Sequence, residues 1–228
     1  MASLMGDLVP FALGAAIVPG VVMVTLLLLL RSRRGPLTAA GWITGMVSVR
    51  LVQGAVFGVV VPTTPSTIAE TGRPTIVATV LLVLAILMYI TAADKALGGE
   101  EPEASADPPR WMAMIRSATP ARALVYGTLL IVLSAKQWVF TLGAIGAIRA
   151  ASIGLLAGVL IYVGFVAAVV SPSAALVAAA YLAPNRSASR LDAALGWLQT
   201  HNDGIVIGLS LLFGTLFGAK ALLDFGIL

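Results

Sequence analysis

The chain has 228 residues, 59% hydrophobic and 11% charged, with a mean hydropathy of +1.02 and a net charge of +4. A soluble domain carries about 25% charged residues, and disorder needs low hydrophobicity, so both classes are excluded. With no cysteine and a single histidine, His201, the chain lacks the ligands for disulfides, thiolate-bound zinc, iron–sulfur clusters or a His-rich metal site. What remains is an all-α membrane protein forming a single transmembrane domain over residues 1–228.

A helix needs about 20 apolar residues to cross the roughly 30 Å hydrocarbon layer. Six runs meet that length: residues 8–30, 36–61, 74–93, 123–148, 153–182 and 204–223. Nothing basic precedes the first run, and Arg31, Arg33 and Arg34 follow it, so it reads as a span with its N-terminus outside rather than as a secretory signal. Alternate loops reinforce that orientation. One set holds Arg31, Arg33, Arg34, Lys95, Arg110, Arg116, Arg122, Arg186 and Arg190; the other holds only Arg73 and Arg149. By the positive-inside rule the first set is cytoplasmic and both termini are extracytoplasmic. The basic pI of about 9.9 then follows from loops facing anionic headgroups, with no nucleic acid required.

The first run is interrupted at Pro19-Gly20, about a dozen residues in. The second carries Arg50 near its middle, with Gln53 at i+3 on roughly the same face. After the third comes a segment over residues 94–120 that changes sign. Glu100, Glu101, Glu103 and Asp107 with Pro102, Pro108 and Pro109 predict a flexible loop, and residues 111–122 predict a basic interfacial helix. The fourth run contains Ser134-Ala135-Lys136 followed by Gln137, and the fifth Ser171-Pro172-Ser173. A second interfacial helix is expected over residues 187–200, where Leu191, Leu195 and Leu198 share a face, with Asp203 capping the last span. His201 there reads as a surface or capping residue.

Six spans divide into two triples, residues 7–93 and 121–228, of inverted topology. Breaks at corresponding places in inverted halves point to a transporter site near the midplane. Arg50 and Lys136 sharpen that expectation. A charge at the bilayer centre costs roughly 2.5–3.5 kcal/mol on insertion scales, and every Asp and Glu lies at a span end or in a loop. The fold must give these two cations water, helix carbonyls or an anionic ligand. The expected substrate-binding residues are therefore Lys136 and Arg50, with Gln53, Ser134 and Gln137 as polar neighbours; Thr25, Ser171 and Ser173 are weaker candidates. Pro19, Gly20, Ser171 and Pro172 are the expected hinge points. Each has a plainer alternative: a cation pinned to carbonyls, or a proline that only shapes packing. Gly41 and Gly45, Gly54 and Gly58, and Gly214 and Gly218 allow close helix approach, within the chain or in a homodimer. No nucleotide-binding, HExxH or Gly-x-Ser-x-Gly motif occurs, and neither an enzyme nor a cofactor is expected.

Three stretches resemble a known family: FALGAAIVPGVVMVTLLLLL with the following RSRRGPLTAAGWITG, then LLIVLSAKQW, then WLQTHNDGIVIGLSLLFGTLFGAKALLDFG. They are similar to the sulfolipid-1-addressing or peptidoglycolipid-addressing proteins of actinobacteria, a family placed in the lysine-exporter (LysE) superfamily. Lys136 matches the lysine of that family's Asn-Pro-Lys-Asn-like break, whereas its Asn and Pro positions read Ser134 and Ala135. The superfamily's Pro-Gly-Pro turn is present in part, as Pro19-Gly20-Val21. The resemblance implies a multi-pass inner-membrane protein that helps export a cell-envelope glycolipid, together with envelope-lipid export partners. The alternatives are a LysE-type small-solute exporter and a non-transporting accessory subunit of a lipid-export or lipid-synthesis complex.

Overall fold

The computed structural model describes residues 2–32, 34–60, 73–98, 114–115 and 117–227. Every regular element among them is helical: α1 (Ala2–Ala16), α2 (Pro19–Arg31), α3 (Gly35–Gln53), which runs into a π-helical stretch (Gly54–Val60), α4 (Arg73–Ala96), α5 (Pro120–Leu133), α6 (Ala135–Ala150), α7 (Leu155–Leu182) and α8 (Pro184–Asp224). Four helices are long and apolar enough to cross a membrane, and there are six if each bent pair counts as one span. The bent pairs are α1 with α2, at 48°, and α5 with α6, at 74°. Both interruptions lie where the sequence places them.

Local chemistry explains each break. Pro19 has no N–H to continue α1, and Val18 turns to extended backbone before α2 starts. At the second break Ser134 is extended and donates its N–H back to Leu130, while its own carbonyl accepts from Trp138 N–H. The indole of Trp138 donates to the Val132 carbonyl at 2.8 Å, satisfying one acceptor that the break strands.

Two other expectations fail. No break occurs at Ser171-Pro172-Ser173, because α7 is continuous through Pro172. Pro172 cannot donate to the carbonyl four residues back, Ala168; the Ser171 hydroxyl donates to it instead, at 2.8 Å. There is also no separate helix over residues 187–200 and no capped start at Asp203. α8 is one helix of 41 residues, about 60 Å long. Its Leu191, Leu195 and Leu198 are buried against protein rather than lying at an interface. The acidic loop after Gly98 lies outside the described residues, as do residues 111–113 and 116 of the interfacial helix expected over residues 111–122. Within that stretch Ile115 and Ala118 are buried, and the Thr119 hydroxyl caps α5.

α4 and α8 form the most extensive helix pair, antiparallel and pinned by Lys95–Asp203 at 3.1 Å and Tyr89–Thr215 at 3.1 Å. α3 lies against α5 in parallel, backbone to backbone. A Cβ at Gly41, Gly45 or Gly127 would overlap main-chain atoms of the facing helix. The Gly41–Gly45 pair is thus used inside the chain. Two apolar clusters result. One joins α1, α4, α6, α7 and the end of α8, around Phe11, Phe140 and Phe217; the other joins α2, α3, α5 and the start of α8, around Leu26, Leu28, Trp42 and Leu195. Large apolar residues also face outward, Leu155, Leu156, Leu160, Leu211 and Leu212 among them. Such a surface matches hydrocarbon, and the chain is a membrane protein.

Candidate functional site

Apart from Thr38, which lies within the second cluster, the buried polar residues collect where the chain passes from one apolar cluster to the other. On α3 the changeover falls at Arg50, between Met46 and Phe57; on the α5–α6 pair at residues 134–137, between Ile131 and Phe140; on α7 at Ser173; on α8 beside Ser210. The first bent pair crosses at its own break.

Arg50 is the centre of this layer and is 2% exposed. Its Nη1 donates to Thr141 Oγ1 at 2.8 Å and its Nη2 to Gln137 Oε1 at 2.5 Å, both from α6. The Tyr162 hydroxyl donates to the Arg50 carbonyl at 2.5 Å, tying α7 to the same turn. The guanidinium has five N–H donors. Its side-chain partners are neutral, and Nε has none among the described residues. One turn on, Gln53 is buried with both amide atoms unpartnered among the described residues, and so is Trp42 Nε1. A buried polar group left unsatisfied costs about 1–3 kcal/mol, more when charged. Arg50 and Gln53 therefore present unused donors and an unused acceptor beside a permanent positive charge, the chemistry that takes an anion or a hydroxyl-rich group.

Lys136, the first residue after Ala135 of α6, is half-buried and donates to Thr91 Oγ1 on α4. It is held by a hydroxyl rather than by helix carbonyls. Gln137 joins Arg50 directly. Ser134 is the link between α5 and α6 and borders a cavity of about 390 Å³ against Trp42, Tyr126 and Leu130. Thr25 meets Ser173 at 3.3 Å, bridging α2 and α7. Pro19 and Gly20 open α2; Ser171 and Pro172 lie inside α7. The site residues thus form two separate groups, Arg50 with Gln137 and Lys136 with Thr91.

Three partners escaped the sequence reading. Thr141 sits four residues after Gln137, on the same helix face, and that spacing was the available signal. Thr91 and Tyr162 gave none. Asp7 lies within α1 and pairs with Lys220 of α8 at 3.0 Å. His201 stacks on Trp197 with centroids 4.9 Å apart, a surface arrangement.

The family model of Sap, the sulfolipid-1-addressing protein, matches residues 8–223, nearly the whole chain. The chain belongs to that family. Membership implies involvement in sulfolipid or envelope-lipid addressing. No curated protein and no solved structure matches the chain.

Proposed function

We propose that this chain is a multi-pass inner-membrane protein that moves an envelope lipid with an anionic or sugar head group across the bilayer, the head engaging Arg50 and Gln53. The observation that carries this reading is the Arg50 guanidinium, sealed between the two apolar clusters with only neutral side-chain partners and an unused Nε. An anion or sugar hydroxyl supplies the acceptor it lacks. Lys136, in the half-buried position beside α4, is the second cationic station. The acyl chains stay in lipid while the head crosses. With no nucleotide motif in the sequence, the energy comes from a gradient, an envelope-lipid export partner or downhill flow.

The architecture is read as six spans in two inverted triples with both termini outside, as in the LysE superfamily. Several contacts support the triples by pairing off under their exchange. α2 touches α8 as α6 touches α4, α3 touches α5 as α7 touches α1, and α4 meets α8 at the centre of the exchange. Each triple also opens with a bent pair. Arg50 is closed off in this conformation, so alternating access needs a movement at the Pro19 and Ser134 breaks.

The test is transbilayer movement of a fluorescent anionic lipid in proteoliposomes, read by dithionite quenching. Charge-assisted hydrogen bonds contribute about 1.5–3 kcal/mol, so Arg50→Gln slows movement of the anionic lipid by about tenfold or more while phosphatidylcholine movement changes little. Unchanged rates in both Arg50→Gln and Lys136→Gln overturn the assignment.

A further inference from the structure

The cavity of about 390 Å³ beside Ser134 is a groove along α5. Tyr126, Leu129, Leu130, Leu133 and Ser134 line it over about two turns, roughly 12 Å of helix, and Trp42 of α3 forms its other wall. Leu129 and Leu133 are 45% and 77% exposed, so the groove opens sideways towards hydrocarbon. Both helices that wall it are described along their whole length. Its volume falls in the range of ordinary ligand pockets, roughly 300–1,000 Å³.

The donors that border the groove set it apart from a plain apolar surface. The hydroxyls of Tyr126 and Ser134, at the two ends of the α5 stripe, have no hydrogen-bond partner among the described residues. Ser134 does not return its hydroxyl to a carbonyl of its own helix, as Thr25, Thr38 and Thr91 do. The buried Trp42 adds an indole N–H that has no acceptor among those residues. An O–H or N–H held in hydrocarbon costs free energy unless it meets an acceptor, and the tails of lipids offer none. No carboxylate, ammonium or guanidinium lines the groove.

We infer that this groove holds an acyl ester of a membrane lipid, its chain along Leu129, Leu130 and Leu133 and its ester carbonyl accepting from the hydroxyl at one end, Tyr126 or Ser134. The occupant follows from what the walls offer. Their body is apolar and open to the bilayer, and their polar groups donate without carrying charge, which is the complement of an uncharged acceptor attached to a hydrocarbon chain. A phosphate or a carboxylate finds no cation among the lining residues. Ser134 lies three residues before Gln137, the partner of Arg50, so the groove ends within a turn of that site. The inference goes beyond the Arg50 head-group reading and does not depend on it.

The test uses the full chain in phosphatidylcholine nanodiscs containing a trace of a diazirine-tailed phosphatidylcholine in one of two forms, diacyl ester or dialkyl ether. Head and tail are the same, so the probes differ in their carbonyls alone. Adducts are mapped by mass spectrometry after irradiation. The ester probe is expected to label residues 126–134 about threefold more than the ether probe, as one neutral hydrogen bond gives. Leu211 and Leu212, on the lipid-facing side of α8, take both equally. Tyr126→Phe combined with Ser134→Ala abolishes the ester preference while both probes still label the stretch. The single variants show which end holds the carbonyl, and they serve where the double variant fails to fold. Leu129→Trp, which fills the groove from its lipid side, removes the excess of ester over ether without altering the adducts on α8. Arg50→Gln leaves the preference intact even where it stops lipid movement, which separates this inference from the transport reading. Equal labelling of the stretch by both probes marks it as ordinary lipid-facing surface and overturns the inference. A preference that survives the loss of both hydroxyls overturns it too, and so does an absence of adducts because another part of the chain covers the groove.

Discussion

Arg50 is costly where it stands, and that cost makes its role testable. Replacing a buried charge by an apolar side chain of similar volume is often neutral or stabilising, whereas removing a partner from a charge that stays buried costs about 3–5 kcal/mol. Arg50→Met is therefore expected to leave unfolding stability in detergent unchanged or raised while lipid movement is lost. Gln137→Leu, which takes one of the two hydrogen-bond partners of Arg50, lowers stability by about 3 kcal/mol, and adding Arg50→Met restores it. A structural pin gives the reverse order, with Arg50→Met the most damaging. Arg50, Gln137 and Lys136 were legible in the sequence because a charge or amide in mid-span has few innocent explanations. Thr141, Thr91 and Tyr162 were not, because hydroxyls in apolar helices are common and only the fold shows which of them meets a cation. Lys220 was overlooked because its partner Asp7 lies in another helix, at the far end of the chain.

At the scale of the element, the glycines divide sharply. Gly45 and Gly127 sit where α3 and α5 touch through their backbones, so Gly45→Ala forces the helices apart and costs about 1–3 kcal/mol. Gly20 has open space around its Cβ direction, and Gly20→Ala is expected to be neutral or to stabilise α2 by up to about 1 kcal/mol. Thermal unfolding of the two variants side by side checks the contrast. That the chain folds into long apolar helices, and where two of them break, could be read from hydropathy and from Pro19 and Ser134. Pro172 misled because a proline inside a helix reads as a break unless a neighbouring hydroxyl takes the carbonyl it strands, and Ser171 does so. The length of α8 misled for a related reason. Polar Thr200, His201, Asn202 and Asp203 look like a start signal, yet Lys95 holds Asp203 and the Leu191–Leu195–Leu198 face is covered by α2 and its neighbours, so the helix runs on.

At the scale of the molecule, the cysteine-free sequence offers a direct reading of orientation. Ala151→Cys, at the exposed α6–α7 turn, is expected to react with an impermeant maleimide on intact cells. Ser189→Cys, near the start of α8, reacts only after permeabilisation. The opposite pattern inverts the topology. Charge bias made this expectation possible from sequence alone, since it depends on loop composition and not on packing. How the helices share out into two apolar clusters could not be read the same way, because the residues of both clusters are the same apolar types and hydropathy does not tell one partner helix from another.

That division has a mechanical consequence. Each cluster is welded by close-fitting hydrocarbon, whereas between them lies a thin stratum of hydroxyls, amides and one guanidinium. Displacement along that stratum swaps one hydrogen-bond partner for another and uncovers little oil. Displacement is thus expected to be easiest along that stratum, and α8, which belongs to both clusters, passes through it.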